Sequence, residues 1–196
     1  MIRLGLTGSI GMGKSTIAAM FRDEGVPVWD ADESVHRLYA TSDIAKSRLR
    51  QAFGDVLTDG VVDRAKLSNV LKTRPEGFET LNAIVHPLVV GDRRDFIAEH
   101  YAASLVVTDI PLLYETGAEA LLDKVLVVSA PAEVQRARVM ARPGMTAEKL
   151  EAILARQMSD ADKRARADFI IDTSQSLEAC RAEVRALIAS LQITSS

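Results

Sequence analysis

Apolar residues along this chain follow two patterns, one typical of buried strands and one typical of helices. Short continuous apolar runs indicate strands covered on both faces. They occur at 2–7, 26–29, 104–109, 124–129 and 167–172. Elsewhere apolar residues recur every three to four positions, which predicts helices over 14–24, 131–141, 146–160 and 177–191. Strands that alternate with helices predict an α/β fold with parallel strands.

The interval 33–100 departs from this alternation. Helical periodicity is found near 33–40, 43–53, 64–73 and 78–100, and no segment there is a convincing strand. Because such a stretch exceeds an ordinary crossover between strands, it is predicted to be a helical insertion. His86 and Pro87 fall in its last segment, where a proline must start, kink or end a helix. The residues alone leave open whether His86 is functional or only packed.

A glycine-rich motif separates the first strand from the first helix. Residues 8–16 read GSIGMGKST and match the pattern G-x-x-x-x-G-K-[ST] at every fixed position. In such a loop the backbone N–H groups point at a phosphate, and the following helix adds the positive end of its dipole. The motif predicts a nucleoside triphosphate held by Gly11, Met12, Gly13, Lys14, Ser15 and Thr16. Lys14 is expected to reach the β- and γ-phosphates, and the Ser15 hydroxyl to ligate Mg²⁺.

Acidic residues follow two of the predicted strands. In Asp30-Ala31-Asp32 the two carboxylates point to the same side if the segment is extended, and ligands gather at the carboxyl ends of parallel strands. Helix capping by Asp32 explains the pattern equally well. Asp109 closes another strand, where it is predicted to hold Mg²⁺ through water, the alternative being an ordinary strand-end acid or cap. Glu115 is expected near the same rim.

Arginines are concentrated in the helical hairpin predicted over 131–160. Arg138 and Arg142 are four residues apart and are predicted to share a helix face. Phosphoryl transfer spreads negative charge over oxygens that guanidinium groups stabilise, so the hairpin is interpreted as a lid that excludes water. Acidic residues are interspersed with the arginines, and the alternative is a solvated helix face.

Composition limits the remaining possibilities. The chain has 196 residues, 47% of them hydrophobic, and a net charge of −3, which predicts one soluble domain with an inserted region. The slight acidity gives no reason to expect nucleic acid or an anionic membrane as a partner. Cys180 is the only cysteine, so an intramolecular disulfide is excluded. No apolar run approaches 18 residues and no signal peptide is recognised, so a cytoplasmic protein is expected.

The order of these motifs resembles the dephospho-coenzyme A kinase family almost from end to end. The P-loop is shared widely, whereas the set Asp-Ala-Asp, His-Pro and Pro-Leu-Leu in this order is close to diagnostic. Three positions depart from the family pattern: Ser9 and Met12 stand where glycine and serine are usual, and Thr173 stands where an asparagine is common, in a region expected near the adenine. The matching residues are 6–8, 10–11, 13–16, Asp30-Ala31-Asp32, Phe53-Gly54, Asp59-Gly60, Arg64, Leu67, Leu81, His86-Pro87, Pro111-Leu112-Leu113, Glu115, Gln135, Arg138, Arg142, Gln157, Lys163, Ala167-Asp168 and Ile171-Asp172.

The resemblance implies a P-loop kinase-type three-layer fold with a five-stranded parallel sheet. It divides the chain into a core (about 1–32, 101–130 and 166–196), a helical CoA-binding region (about 33–100) and a lid (about 131–165). It also implies ATP-dependent phosphorylation of the ribose 3′-hydroxyl of dephospho-CoA, with ATP and dephospho-CoA as partners and Mg²⁺ as cofactor. The sequence does not give the oligomeric state, and a monomer is favoured. The implied catalytic residues are Asp32, as base or orienting group, Lys14, Arg138 and Arg142. The implied substrate-binding residues are Asp32, His86, Leu113 and Glu115.

Other functions fit the residues less well. A P-loop kinase for another small acceptor, such as a nucleoside monophosphate, remains the nearest alternative. A GTPase-like switch would carry Asp-x-x-Gly after the Asp109 strand and Asn-Lys-x-Asp for guanine, and neither is found. A nucleic-acid ATPase is disfavoured by the acidic balance and the short chain.

Overall fold

The structure is a computed structural model that describes residues 1–193. The last three residues of the predicted core segment 166–196 lie outside that part. The chain divides into two compact units, one made of Met1–Trp29 and His100–Ser196 and the other of Asp30–Glu99. Within residues 1–193 no helix combines the length and the apolar character that crossing a membrane requires.

Strands and helices alternate in the first unit, and the second is mostly helical. The strands are β1 Ile2–Thr7, β2 Val28–Asp30, β3 Leu57–Thr58, β4 Val61–Val62, β5 Leu105–Asp109, β6 Lys124–Ser129 and β7 Phe169–Asp172. The helices are α1 Lys14–Asp23, α2 Ala31–Thr41, α3 Asp43–Phe53, α4 Arg64–Thr73, α5 Gly77–Glu99, α6 Ala132–Met140, α7 Ala147–Leu154, α8 Asp160–Arg166 and α9 Leu177–Ile193. A short 3₁₀ helix covers Ala118–Leu121.

A five-stranded parallel sheet in the order β2-β5-β1-β6-β7 forms the centre of the first unit, which confirms the predicted fold class. The central strand β1 pairs with β5 on one side and β6 on the other, so that Leu6 lies opposite both Asp109 and Leu126. Every residue of β5 is buried, as expected for a strand covered on both faces. Helices α1 and α9 pack onto the same hydrophobic cluster as β1, β5 and β6.

The carboxyl end of this sheet carries the glycine-rich loop. Since β1, β5, β6 and β7 run parallel, the residues that follow Thr7, Asp109, Ser129 and Asp172 meet at one edge. Two bonds tie these segments together: the Thr7 hydroxyl donates to the Pro111 carbonyl at 3.2 Å, and the Thr173 N–H donates to the Ser129 carbonyl at 2.8 Å.

The second unit has its own hydrophobic core. Its buried side chains are Tyr39, Leu49, Phe53, Val56, Val62, Leu67, Leu71 and Val85. Asp92 on α5 accepts hydrogen bonds from the Ser34 hydroxyl at 2.7 Å and from Arg37 at 2.6 Å, both on α2. These polar contacts fix the pairing of α2 with α5, while the apolar cluster provides most of the stabilisation of the unit.

The predicted absence of strands in 33–100 is wrong. Residues 57–58 and 61–62 form an antiparallel hairpin, β3–β4. Its turn is Asp59-Gly60, with φ values of 50° and 78°. Both residues adopt the left-handed region that a two-residue hairpin turn requires, and Asp-Gly is a favoured pair for it.

The predicted boundaries around Asp32 and Arg142 also need correction. The chain is not extended through Asp32, because α2 already begins at Ala31 and its N-cap is Asp30. The helix predicted over 146–160 ends at Leu154, and α8 is a separate helix. Arg138 and Arg142 do not share a helix face, since α6 ends at Met140. Leu177, the first residue of α9, is 68% exposed although the helix predicted over 177–191 begins with it.

Candidate active site

Gly11 and Gly13 shape the loop between β1 and α1. Both have positive φ, 78° at Gly11 and 84° at Gly13, a conformation that other residues adopt only with strain. Space is also restricted: a Cβ on Gly11 would lie 2.5 Å from Cγ2 of Val139, and one on Gly13 would lie 3.1 Å from Oγ1 of Thr173. Gly13 is the N-cap of α1, so the first N–H groups of that helix open toward the loop.

Met12 is held inside the loop through its main chain and its side chain. Its N–H donates to the Ser9 carbonyl at 3.1 Å, and its carbonyl accepts a 2.8 Å bond from the Thr173 hydroxyl. The side chain is 2% exposed, and its sulfur accepts a 3.1 Å bond from the Ala130 N–H. Met12 therefore contributes to the shape of the loop, and a contact between its N–H and ATP stays a prediction.

Lys14, the first residue of α1, pairs with Asp109 at the end of β5. Its ammonium group donates to Oδ1 of Asp109. The side chain of Asp109 is fully buried, and that of Lys14 is 18% exposed. The pair supplies the buried carboxylate with a positive partner, which burial of a charge demands.

A cavity of about 240 Å³ lies along one side of the loop. It contains the two arginines predicted to be catalytic, although these do not share a helix face. Arg142 is exposed just beyond α6, and Arg138 donates to the Thr173 hydroxyl at 2.9 Å and to the Thr173 carbonyl at 2.6 Å. The residues that line the cavity include Gly11, Gly13, Ser15, Thr16, Arg138, Arg142, Thr173 and Leu177. The arrangement of loop amides, hydroxyls and guanidinium groups around one cavity suits a polyphosphate.

Comparisons with known proteins decide the family. The family model for dephospho-CoA kinase matches residues 2–179. The chain belongs to the dephospho-CoA kinase family. A dephospho-CoA kinase of Mesorhizobium japonicum is 58% identical over 194 residues, which are 98% of each chain. The solved dephospho-CoA kinase of Campylobacter jejuni is 25% identical, with a TM-score of 0.75 over 99% of this chain and 98% of that one. A crystal structure from Thermus thermophilus is 38% identical, with a TM-score of 0.80 over 97% of both chains.

Asp32, for which the family resemblance implies a catalytic role, lies in the first turn of α2. The N-cap of this helix is Asp30, whose carboxylate accepts bonds from the N–H groups of Asp32 at 2.8 Å and Glu33 at 3.0 Å. The two acids therefore have different roles, because Asp30 satisfies the start of the helix and the Asp32 side chain is exposed. Capping by Asp32, the alternative left open by the sequence, is wrong.

Glu115 is engaged with the segment that leads into α8. Its carboxylate bonds the ammonium group of Lys163 at 2.9 Å and accepts a 2.7 Å bond from the Met158 N–H. Lys163 is fully buried. Burial alone would raise the pKa of Glu115, but the bonds from Lys163 and Met158 outweigh it and hold this pKa below its usual value. Substrate binding by Glu115 stays a prediction; the contacts in the structure are structural.

The other two predicted substrate residues differ in exposure. His86 is exposed on α5, one residue before Pro87, which the helix accommodates in its interior. Leu113 is fully buried and would contact an added Cβ at Gly5 at 2.7 Å. Its side chain packs in the core, so binding at this position would fall to the main chain.

Oxygen donors suitable for a magnesium ion are present beside the loop. Within residues 1–193 no three His, Cys, Asp or Glu side chains form a metal cage. A P-loop site does not require such a cage, because water and phosphate supply most of its ligands. The Ser15 hydroxyl lines the cavity, and the carboxylate of Asp109 lies next to Lys14. These residues fit Mg²⁺ that arrives with a nucleotide.

Sequence reasoning assigned no role to several side chains that organise this site. Gln135 and Gln157 both bond Ile10 in the loop, and Lys163 is the buried partner of Glu115. All three belong to the pattern shared with the family, and that was the available signal. Their partners lie far away along the chain, so periodicity could not reveal them.

Proposed function

We propose that the chain transfers the γ-phosphoryl group of ATP to the ribose 3′-hydroxyl of dephospho-CoA, giving CoA and ADP. The observation that carries this proposal is the dephospho-CoA kinase match over residues 2–179, which includes the P-loop and Asp30-Ala31-Asp32. Curated relatives with this name match 98% of this chain at 58% and 54% identity.

Lys14 is proposed to bridge the β- and γ-phosphates. An ammonium group has three donors, so Lys14 can keep its bond to Asp109 and still contact phosphate oxygens. This arrangement orients the ammonium group before the nucleotide arrives, which lowers the entropy that binding must overcome.

Arg138 and Arg142 are proposed to stabilise the negative charge of the transferred group. Two of the five N–H donors of Arg138 bond Thr173, and the others are suited to bond phosphate oxygens. Arg142 lies at the mouth of the same cavity without being part of α6. When bound beside Ser15 and Asp109, Mg²⁺ would neutralise charge on the β- and γ-phosphates.

Asp32 is proposed to orient the acceptor hydroxyl. Since phosphoryl transfer passes through a loose transition state, positioning contributes more than removal of the hydroxyl proton. The different roles of the two acids support this assignment, because Asp30 alone caps α2 and the Asp32 carboxylate is left available for a ligand.

A coupled assay of ADP release with ATP and dephospho-CoA tests the proposal. We expect ADP and CoA in equal amounts, with the mass of the product raised by one phosphoryl group and the phosphate removed by a 3′-specific nucleotidase. A panel of nucleoside monophosphates and sugar acids serves as the comparison. Activity on one of these acceptors, with none on dephospho-CoA, would favour the alternative kinase.

A further inference from the structure

Two side-chain amides hold the loop residue Ile10 from both sides. Oε1 of Gln157, which follows α7, accepts a 3.1 Å hydrogen bond from the Ile10 N–H. Nε2 of Gln135 on α6 donates a 2.8 Å bond to the Ile10 carbonyl. The backbone fixes both directions, because an N–H can only donate and a carbonyl can only accept. Gln157 therefore serves as an acceptor and Gln135 as a donor.

These contacts determine where the next amide of the loop points. In a trans peptide the carbonyl of Ile10 and the N–H of Gly11 point in opposite directions. The bond from Gln135 therefore turns the Gly11 N–H away from α6, and Gly11 lines the cavity beside the loop. Because glycine tolerates many backbone conformations, this peptide would flip easily without an outside constraint.

Both glutamines are themselves held in place. Gln135 is 8% exposed, and its Cγ lies 3.4 Å from the position of an added Cβ on Gly11. Gln157 precedes Met158, whose N–H bonds Glu115 at 2.7 Å, and Glu115 in turn bonds the buried Lys163. Side chains restrained in this way can impose a conformation on the loop rather than follow it.

We propose that Gln135 and Gln157 are positioning residues that orient the peptides on either side of Ile10, so that the loop presents its amides to the triphosphate. The proposal rests on the ATP-binding function proposed above. The loop then enters the complex with its amides already oriented, and the affinity for ATP depends on two residues that need not touch the nucleotide.

Substituting each glutamine by Glu and by Lys separates this role from a general effect of charge. Glutamate can only accept and lysine can only donate. Gln157→Glu keeps the acceptor for the Ile10 N–H, whereas Gln157→Lys removes it. Gln135→Lys keeps a donor for the Ile10 carbonyl, whereas Gln135→Glu places a carboxylate against it. If local charge alone mattered, Lys would be better than Glu for ATP binding at both positions.

We expect a crossover in the dissociation constant for ATP, measured by titration calorimetry. Glu should be better than Lys at position 157 and worse than Lys at position 135, with about a tenfold difference within each pair. The KM for dephospho-CoA should change little, since the loop amides are proposed to bind the triphosphate rather than the acceptor. The same preference at both positions, or a crossover absent from ATP affinity but present in melting temperature, would overturn the proposal.

Two further measurements keep the test decisive. Hydrogen exchange of the nucleotide-free wild-type protein should show a protected Ile10 amide, and rapid exchange there would contradict the proposal even if every variant misfolds. The affinity of the wild-type protein for ATP is the reference. If the wild type does not bind ATP, the proposed function itself is refuted. If the wild type binds ATP but the variants show no crossover, only the role of the glutamines is refuted.

Discussion

Lys14 is bound to a buried partner within the first unit, and this gives its substitution two separable effects. Lys14→Ala should lower kcat/KM by at least about a hundredfold, since the contact with the transferred phosphoryl group is lost. It should also destabilise the fold, because the fully buried Asp109 loses its bonded ammonium group. Steady-state kinetics and thermal unfolding would measure the two effects.

Ser9→Ala is the matched control for Lys14. Ser9 lies in the same loop and is 5% exposed, but the motif requires no particular side chain at its position. The activity of the Ser9→Ala variant should remain within a few-fold of that of the wild type. Equal losses in Ser9→Ala and Lys14→Ala would mean that the loop responds to any substitution, and the role of Lys14 would be unsupported.

Asp30 and Asp32 allow a second matched comparison. Asp32→Asn should lower kcat by about a hundredfold with dephospho-CoA saturating, because the amide orients the hydroxyl poorly. Asp30→Asn should retain activity and stability, since asparagine caps a helix as well as aspartate does. Turnover and unfolding midpoints of the two variants would be compared. Near wild-type turnover of Asp32→Asn would show that Asp32 has no part in the chemistry.

The predicted lid is attached to the core at both of its ends. Helix α6 contacts the loop through Gln135 and bonds Thr173 through Arg138. On the other side, the stretch from Gln157 to Lys163 is fixed at four points, one of which is the 2.7 Å bond between Ser129 and Asp160. A movement of the whole segment 131–165 would have to break these contacts, whereas a movement confined to α7 and its connections would keep them. The predicted lid bounds stay a prediction.

The Glu115–Lys163 pair is the ion pair among these attachments. Lys163 is fully buried. Glu115→Gln should therefore lower the free energy of unfolding by about 3 kcal/mol, because the ammonium group of Lys163 loses its anionic partner. The double variant Glu115→Leu, Lys163→Met removes both charges and should recover most of this loss. Urea unfolding of the single and double variants would compare their stabilities. A double variant as unstable as the single one would indicate that the pair is unimportant and that packing was disturbed.

Acid should weaken the same pair. The pKa of Glu115 is lower in the folded protein than its usual value of 4.5. A depressed pKa contributes stability that is fully present above about pH 4.5 and is lost as pH falls through the folded value. The stability of the wild type should therefore decrease below that pH more steeply than that of Glu115→Gln, and unfolding curves across this range would compare the two proteins.

At the scale of the whole molecule, the sequence predicted the bounds of helices and strands best where the element is long or buried. Strand β6 and helix α4 have the predicted bounds, because continuous apolar runs and helical periodicity are local signals. The P-loop could be located because its glycines are required by backbone geometry at the loop itself. Membership in the family was also evident from motif order, and the comparisons confirm it.

The sequence could not predict which side chains bond each other across long distances along the chain. It also could not predict strands of only two residues. Glu115 and Lys163 are far apart along the chain, and no local pattern predicts that they form a buried pair. Strands of two residues, such as β3 and β4, are too short for a periodic signal. Their Asp59-Gly60 turn was nevertheless visible in the sequence, where the pair was noted only as part of the pattern shared with the family.

The sulfur of Met12 gives this loop a chemistry that a serine at this position would not. Oxidation to the sulfoxide would enlarge the side chain and make it polar in a site where it is 2% exposed. It would also disturb the hydrogen bond from the Ala130 N–H. Peroxide should therefore react with Met12 only when the loop opens, and bound ATP should slow the reaction. Mass spectrometry of Met12 sulfoxide, with and without ATP, would measure this protection; equal rates would contradict it.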